Sequence, residues 1–198
     1  FQKRPQRRMA RWWEGIKVRM KQTFIAEVKT QSPFGFKSKK SWRELFDIAN
    51  KHGDIISIHT NPLWGGSFGH LEYARSLTEK LILAKGLHTT NDDVERCVKL
   101  GADYVLTLGW TGGSQANRCF VEPQDFQQLF AIKAKNMVWN TRNLQNGKPS
   151  SPSFNYVRNL YGGWLCQASR IRIKKDVHPK ADAFIVGEYL PQFVKTWK

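Results

Sequence analysis

The chain has 198 residues, of which 40% are hydrophobic and 13% aromatic, enough apolar material for one folded domain with a sizeable core. It carries 32 Lys and Arg against 16 Asp and Glu, a formal charge of +16, which is more than a small folded domain needs and points to nucleic acid or an anionic membrane surface as partner. No apolar run approaches the roughly 20 residues of a membrane-spanning helix, Cys97, Cys119 and Cys166 form no Cys-x-x-Cys, and the histidines form no His-x-x-x-His pair. A spanning helix, a disulfide framework and a zinc site are therefore excluded, the thiols are expected reduced, and no metal or other cofactor is implied.

Residues 1–22 carry the basic side chains Lys3, Arg4, Arg7, Arg8, Arg11, Lys17, Arg19 and Lys21 against the single acid Glu14, a net of +7. From Met9 the apolar residues Met9, Trp12, Trp13, Ile16 and Met20 fall at helical spacing, so a basic amphipathic helix is predicted, set off from a domain over 23–198. Such an arm can cap a barrel, lie on RNA or anchor to a membrane surface. Its Arg-rich, acid-poor composition is similar to a mitochondrial presequence, and we expect a longer presequence to be removed upstream of Phe1.

From Thr23 the pattern is strand then helix, repeated. In the first strand Glu27 and Lys29 point to one face and Val28 to the other, and two opposite charges on an inner face must pair or do chemistry. A capping box at Ser41 and Glu44 opens a helix that Gly53 closes, with Leu45, Ile48 and Ala49 inward. Strand two is predicted over 54–60, helix two over 70–77, strand three over 81–85, a helix from Thr90 to Gly101, and strand four over 104–108. The run 111–117 is too short and Gly-rich for a fourth helix. Strand five (118–122), a helix with Pro123 at its first position (123–134), strand six (136–140), a flexible loop (145–153), a helix (154–161), strand seven (164–167), strand eight (183–186) and a closing helix (191–197) follow. Eight strands with right-handed crossovers imply a trimmed (β/α)8 TIM-like barrel with its fourth helix missing.

Several stretches, taken in order, resemble indole-3-glycerol phosphate synthase: Glu27-Val28-Lys29 with Ser32-Pro33, Ile56 to Asn61 with Trp64 to Ser67, Leu83-Ala84-Lys85, Val138 to Leu144, and Ala181 to Gly187. The resemblance runs from about Thr23 to Trp197. It implies a site at the C-terminal ends of the strands, in which Lys85 is the general acid, Lys29 contacts substrate, Glu27 positions it and Glu122 is a catalytic carboxylate. Ser32, Asn140, Arg142, Ser169 and Gly187 match substrate-binding positions. A lysine near carboxylates serves as proton donor when its surroundings bring its pKa toward neutrality.

Other positions depart from that pattern. The acid after Thr60 is replaced by Asn61, the aspartate after Lys85 by Gly86, the strand-seven carboxylate by Ala168, a phosphate-contacting glycine by Arg170, and a serine after strand eight by Glu188. A phosphate site needs small residues that let backbone amides approach. A carboxylate about 4 Å from a phosphate charge costs on the order of 4 kcal/mol at an effective dielectric near 20. We expect Arg170 and Glu188 to pair and fill the vacated pocket.

These features predict an inactive synthase-like barrel serving as a structural subunit of a large assembly such as a mitochondrial ribosome. Ribosomal RNA and neighbouring proteins would be its partners, met through the arm and a cluster of Arg170, Arg172, Lys174, Lys175 and Lys180. The alternatives are an active divergent synthase and an accessory subunit of an organellar membrane complex, with the arm on anionic lipid.

Overall fold

The computed structural model describes residues 22–110, 113–144, 146–150 and 152–197; the predicted N-terminal helix lies outside them. Eight parallel strands close into a barrel in sequence order, β1 pairing with β8. They are β1 (Thr23–Val28), β2 (Ile55–His59), β3 (Leu81–His88), β4 (Tyr104–Leu108), β5 (Cys119–Glu122), β6 (Asn136–Asn140), β7 (Leu165–Ala168) and β8 (Ala183–Val186). The helices are α1 (Trp42–His52), α2 (Phe68–Leu77), α3 (Asn91–Lys99), α4 (Phe126–Ala131), α5 (Phe154–Leu160) and α6 (Leu190–Thr196). Right-handed strand–helix–strand crossovers build the TIM-like barrel that the alternating pattern predicts.

Side-chain alternation divides the core in two. Phe24, Ala26 and Val28, with Ile56, Ile58, Ile82, Ala84, Val121 and Met137, face the helices. Ile25, Ile55, Leu83, Tyr104, Leu106, Phe120, Val138, Cys166 and Ile185 fill the barrel interior. The closing seam is aromatic: Phe24 stacks on Phe184 at 5.2 Å, and Trp197 meets Phe184 at 4.9 Å and Phe193 at 5.5 Å. All three cysteines are free and buried.

The helices begin where their caps are. Ser41 and Glu44 form the predicted capping box of α1, Thr90 and Asp93 form one for α3, and the Ser67 hydroxyl accepts from His70 N, so α2 starts at Phe68, two residues before the predicted start. Helix α4 departs from expectation. Asp125 caps it by accepting from Gln128 N, Pro123 stays outside, and the chain is already extended at Ile132. A six-residue 3-10 turn, Gly113–Arg118, stands where the fourth helix was expected to be missing. A second helix is absent as well: between β7 and β8 there is only the 3-10 turn Lys174–Asp176.

Candidate functional site

Strand parity brings the candidate residues together. Counting by twos from the interior residues places Glu27 on β1, His59 on β2, Lys85 on β3, Glu122 on β5, Asn140 on β6, Ala168 on β7 and Gly187 just past β8 on the inward face at the barrel mouth, with His59 opposite Lys85 and Asn140 opposite Ala168 in register. A narrow cleft opens there, lined by Lys29, His59, Trp64, Lys85, Glu122, Asn140 and Arg142 with Phe34, Leu106, Leu108 and Leu144.

Glu27 is the hub. Its Oε1 accepts from Lys85 Nζ at 2.8 Å and from His59 Nε2 at 2.6 Å. Burial works to raise the Glu27 carboxyl, but Lys85, His59 and Lys29 together outweigh it and hold it well below the usual carboxylate range. Burial pushes His59 down to about 4, so its ring is neutral, donates from Nε2 and leaves Nδ1 without a hydrogen-bond partner. The indole of Trp64 lies flat on that ring, centroids 5.6 Å apart. Gly187 makes the room: a Cβ there would stand 1.9 Å from Glu27 Oε2.

The lysines behave oppositely to expectation. Burial works to lower Lys85, yet Glu27 and Glu122 outweigh it and raise the ammonium above its ordinary value, so it is not tuned toward neutrality as a proton donor. Strand β3 also runs on to His88, so Lys85 stands within the strand and not at its end. Lys29 is the lysine that shifts down, through burial with help from Lys85, although Glu27 and Glu188 oppose the shift. Burial raises the Glu122 carboxyl, and its Oε1 accepts from Asn140 Nδ2 at 3.0 Å.

The expected pair of Arg170 and Glu188 does not form. Glu188 instead accepts from Lys29 Nζ at 3.1 Å and takes a bidentate grip from Arg142, whose Nη2 lies 3.0 Å from Oε2. The guanidinium also lies over the Phe34 ring at 5.6 Å. The geometric reason is on the next strand: Ser169 and Arg170 both have left-handed backbone, φ 68° and 60°, pinned by the Thr141 hydroxyl donating to the Ala168 and Ser169 carbonyls, and Arg170 is turned out to solvent.

The remaining matched positions divide. Ser169 lines the cleft, whereas Ser32 is buried in the β1–α1 loop and accepts from Phe34 N. Asn61 caps the 3-10 turn Pro62–Trp64 by accepting from Leu63 N, and a Cβ at Gly86 would meet Thr60 Oγ1 at 2.4 Å. Ala168 is buried and its side chain contributes no polar group. Of the predicted RNA-contacting cations, Lys3, Arg4, Arg7, Arg8, Arg11, Lys17 and Arg19 lie outside the described residues. Arg172, Lys174 and Lys175 are exposed, Arg172 lying over Tyr189 and Lys174 over Trp197. His59 was not among the predicted residues; its signal was parity, since it follows Ile55 and Ser57 on the inward face.

The fold and mouth place the chain among eight-stranded parallel barrels with polar residues gathered at the C-terminal ends of the strands. No family model matches the chain. A stretch of 90 residues, 44% of the chain, is 32% identical to indole-3-glycerol phosphate synthase of Sulfurisphaera tokodaii, and the match covers 37% of that enzyme's length.

Proposed function

We propose that this chain is a synthase-like barrel that has lost turnover and serves as a structural, RNA-contacting subunit of a large assembly, a mitochondrial ribosome being the assembly its arm and charge suit best. The observation that carries this is Glu188. Its carboxylate occupies Lys29 and Arg142, two of the cations that a phosphorylated substrate would need, and a phosphate entering beside it meets a like charge in a half-buried site. The general-acid candidate is tied to Glu27 with a raised pKa, which makes it a poor proton donor near neutral pH. What remains is an internal polar network in which removing Glu27 would strand Lys85 and His59.

A second reading, an active divergent synthase, is favoured by the convergence of Lys85, Glu122 and Asn140 on one cleft, with Glu27 bonded to Lys85 behind it. The two are separated by gradient sedimentation of tagged full-length protein from cell extract, with turnover assayed in each fraction. The proposal expects co-migration with large RNA-containing particles, release at high salt and no turnover. Free protein at the top of the gradient, with turnover that Lys85→Ala abolishes, would overturn it.

A further inference from the structure

Helices α4 and α5 present a run of aromatic rings to solvent. Phe130, Tyr156 and Leu160 are 52%, 53% and 52% exposed. The rings are continuous: Phe126 meets Phe130 at 5.3 Å and Tyr156 at 5.8 Å, and Phe130 meets Tyr161 at 6.3 Å. Tyr156 and Leu160 lie one helical turn apart on the same side of α5. Core packing does not require this much ring surface in water, and a contiguous patch of the kind marks a binding face.

The charge of the segment that carries the face points to what it binds. Residues 126–175 hold nine basic side chains and not one Asp or Glu; Arg142 is held at the barrel mouth by Glu188 and Arg158 by Asp182, and Lys133 is the exposed cation next to Phe130. The acids at its margins are committed: Asp125 accepts from Gln128 N in the α4 cap, and Asp182 accepts from Arg158 and from Leu165 N. Lys133 and Lys135 stand exposed just beyond Phe130. The chain's own N-terminal arm, at +7, is repelled by such a surface.

We infer that the α4–α5 face is a stacking platform for single-stranded RNA, the rings of Phe130 and Tyr156 taking unpaired bases while Lys133 and Lys135 follow the backbone. Flat rings flanked by cations suit unpaired bases, whereas a duplex keeps its base faces stacked inside and offers phosphates, 2′-hydroxyls and base edges. This rests on the RNA-contacting reading above and adds to it a site and a form of RNA.

The test is fluorescence anisotropy of a labelled oligouridine against full-length protein over a salt series, with an RNA duplex of equal length beside it. Phe130→Ala and Tyr156→Ala should each weaken oligouridine binding by about tenfold, with the salt slope unchanged and duplex binding little affected. Lys133→Gln should lower the slope by about 0.7. Phe130→Leu keeps apolar bulk but removes the flat ring, and should weaken binding as well while its melting curve stays as in wild type. Ring variants that bind like wild type, while Lys174→Gln and Lys175→Gln bind less, would overturn the platform and leave the RNA-contacting reading intact. Wild-type protein that binds no RNA would overturn both. Self-association in sedimentation that Phe130→Ala abolishes would assign the face to a second copy of the chain instead.

Discussion

His59 is a neutral ring held against an anionic carboxylate inside the barrel, and this makes the fold sensitive to acid. Its pKa falls from the ordinary 6.5 to about 4 on folding, so the unfolded chain binds more protons between those values. The stability this contributes is complete above pH 6.5 and is lost as the pH falls toward 4, about 3 kcal/mol in all. Glu27 and Glu188, both depressed, add losses in the same direction as the pH falls below the ordinary 4.5. Urea unfolding at pH 7.5 and pH 5 should show wild type losing stability, with His59→Leu losing about 2 kcal/mol less over that interval. Parallel losses would refute the assignment; His52, His70, His88 and His178 are also lowered by burial, so the variant's slope is reduced and not abolished.

Glu188 sets the second expectation at this scale. Glu188→Ser removes the carboxylate that Lys29 and Arg142 share, leaving them only the longer-range pull of Glu27, and should cost about 3 kcal/mol in urea unfolding. Millimolar inorganic phosphate should then raise the melting temperature of the variant but not of wild type, because an anion can now take the carboxylate's place. Equal response of the two proteins would show that Glu188 does not occupy an anion position.

At the scale of elements, the barrel is unevenly covered. The helices after β1, β2 and β3 have 11, 10 and 9 residues, those after β5, β6 and β8 have 6, 7 and 7, and 3-10 turns stand after β4 and β7. Amide hydrogen exchange should be slowest in β1 to β3 and fast in residues 113–118 and 170–176, since cover by packed helix governs local opening. Uniform protection around the barrel would contradict this. The capped helices were legible in the sequence because Ser41 with Glu44 and Thr90 with Asp93 state their own starts. The missing helix after β4 was legible from glycine content. The one missing after β7 was not, because Arg170 to Lys175 alternates by twos with no turn signal to mark a loop. Helix α4 was overextended because Pro123 outranked Asp125 as a start signal, although the carboxylate makes the capping bond.

Within the site, parity made Glu27 and Lys29 legible as inward neighbours, and ordered short motifs placed Lys85, Glu122 and Asn140 at the same mouth. Which charges pair was not legible. Pairing of Glu188 with Arg142 and Lys29, in place of Arg170, depends on two consecutive left-handed residues, Ser169 and Arg170, that no side-chain pattern announces. The direction of the Lys85 shift likewise depends on two carboxylates from distant strands outweighing burial.

For the whole molecule, the interior and the surface carry different parts of the function. Beside the cleft at the mouth Glu188 pairs with Lys29 and Arg142, and the surface carries the exposed rings and such cations as Lys133, Arg172 and Lys175. The proposed inactive barrel in an RNA-rich assembly would account for both, because loss of substrate relaxes the demand for an open anion site while phosphate contacts favour added Lys and Arg. The most direct test is calorimetric titration of wild-type protein with a phosphorylated, non-reactive analogue of indole-3-glycerol phosphate synthase's substrate, with a turnover assay alongside. Glu188 filling the mouth predicts no measurable heat of binding and no turnover; micromolar binding with turnover that Lys85→Ala abolishes would contradict it and make the barrel an enzyme.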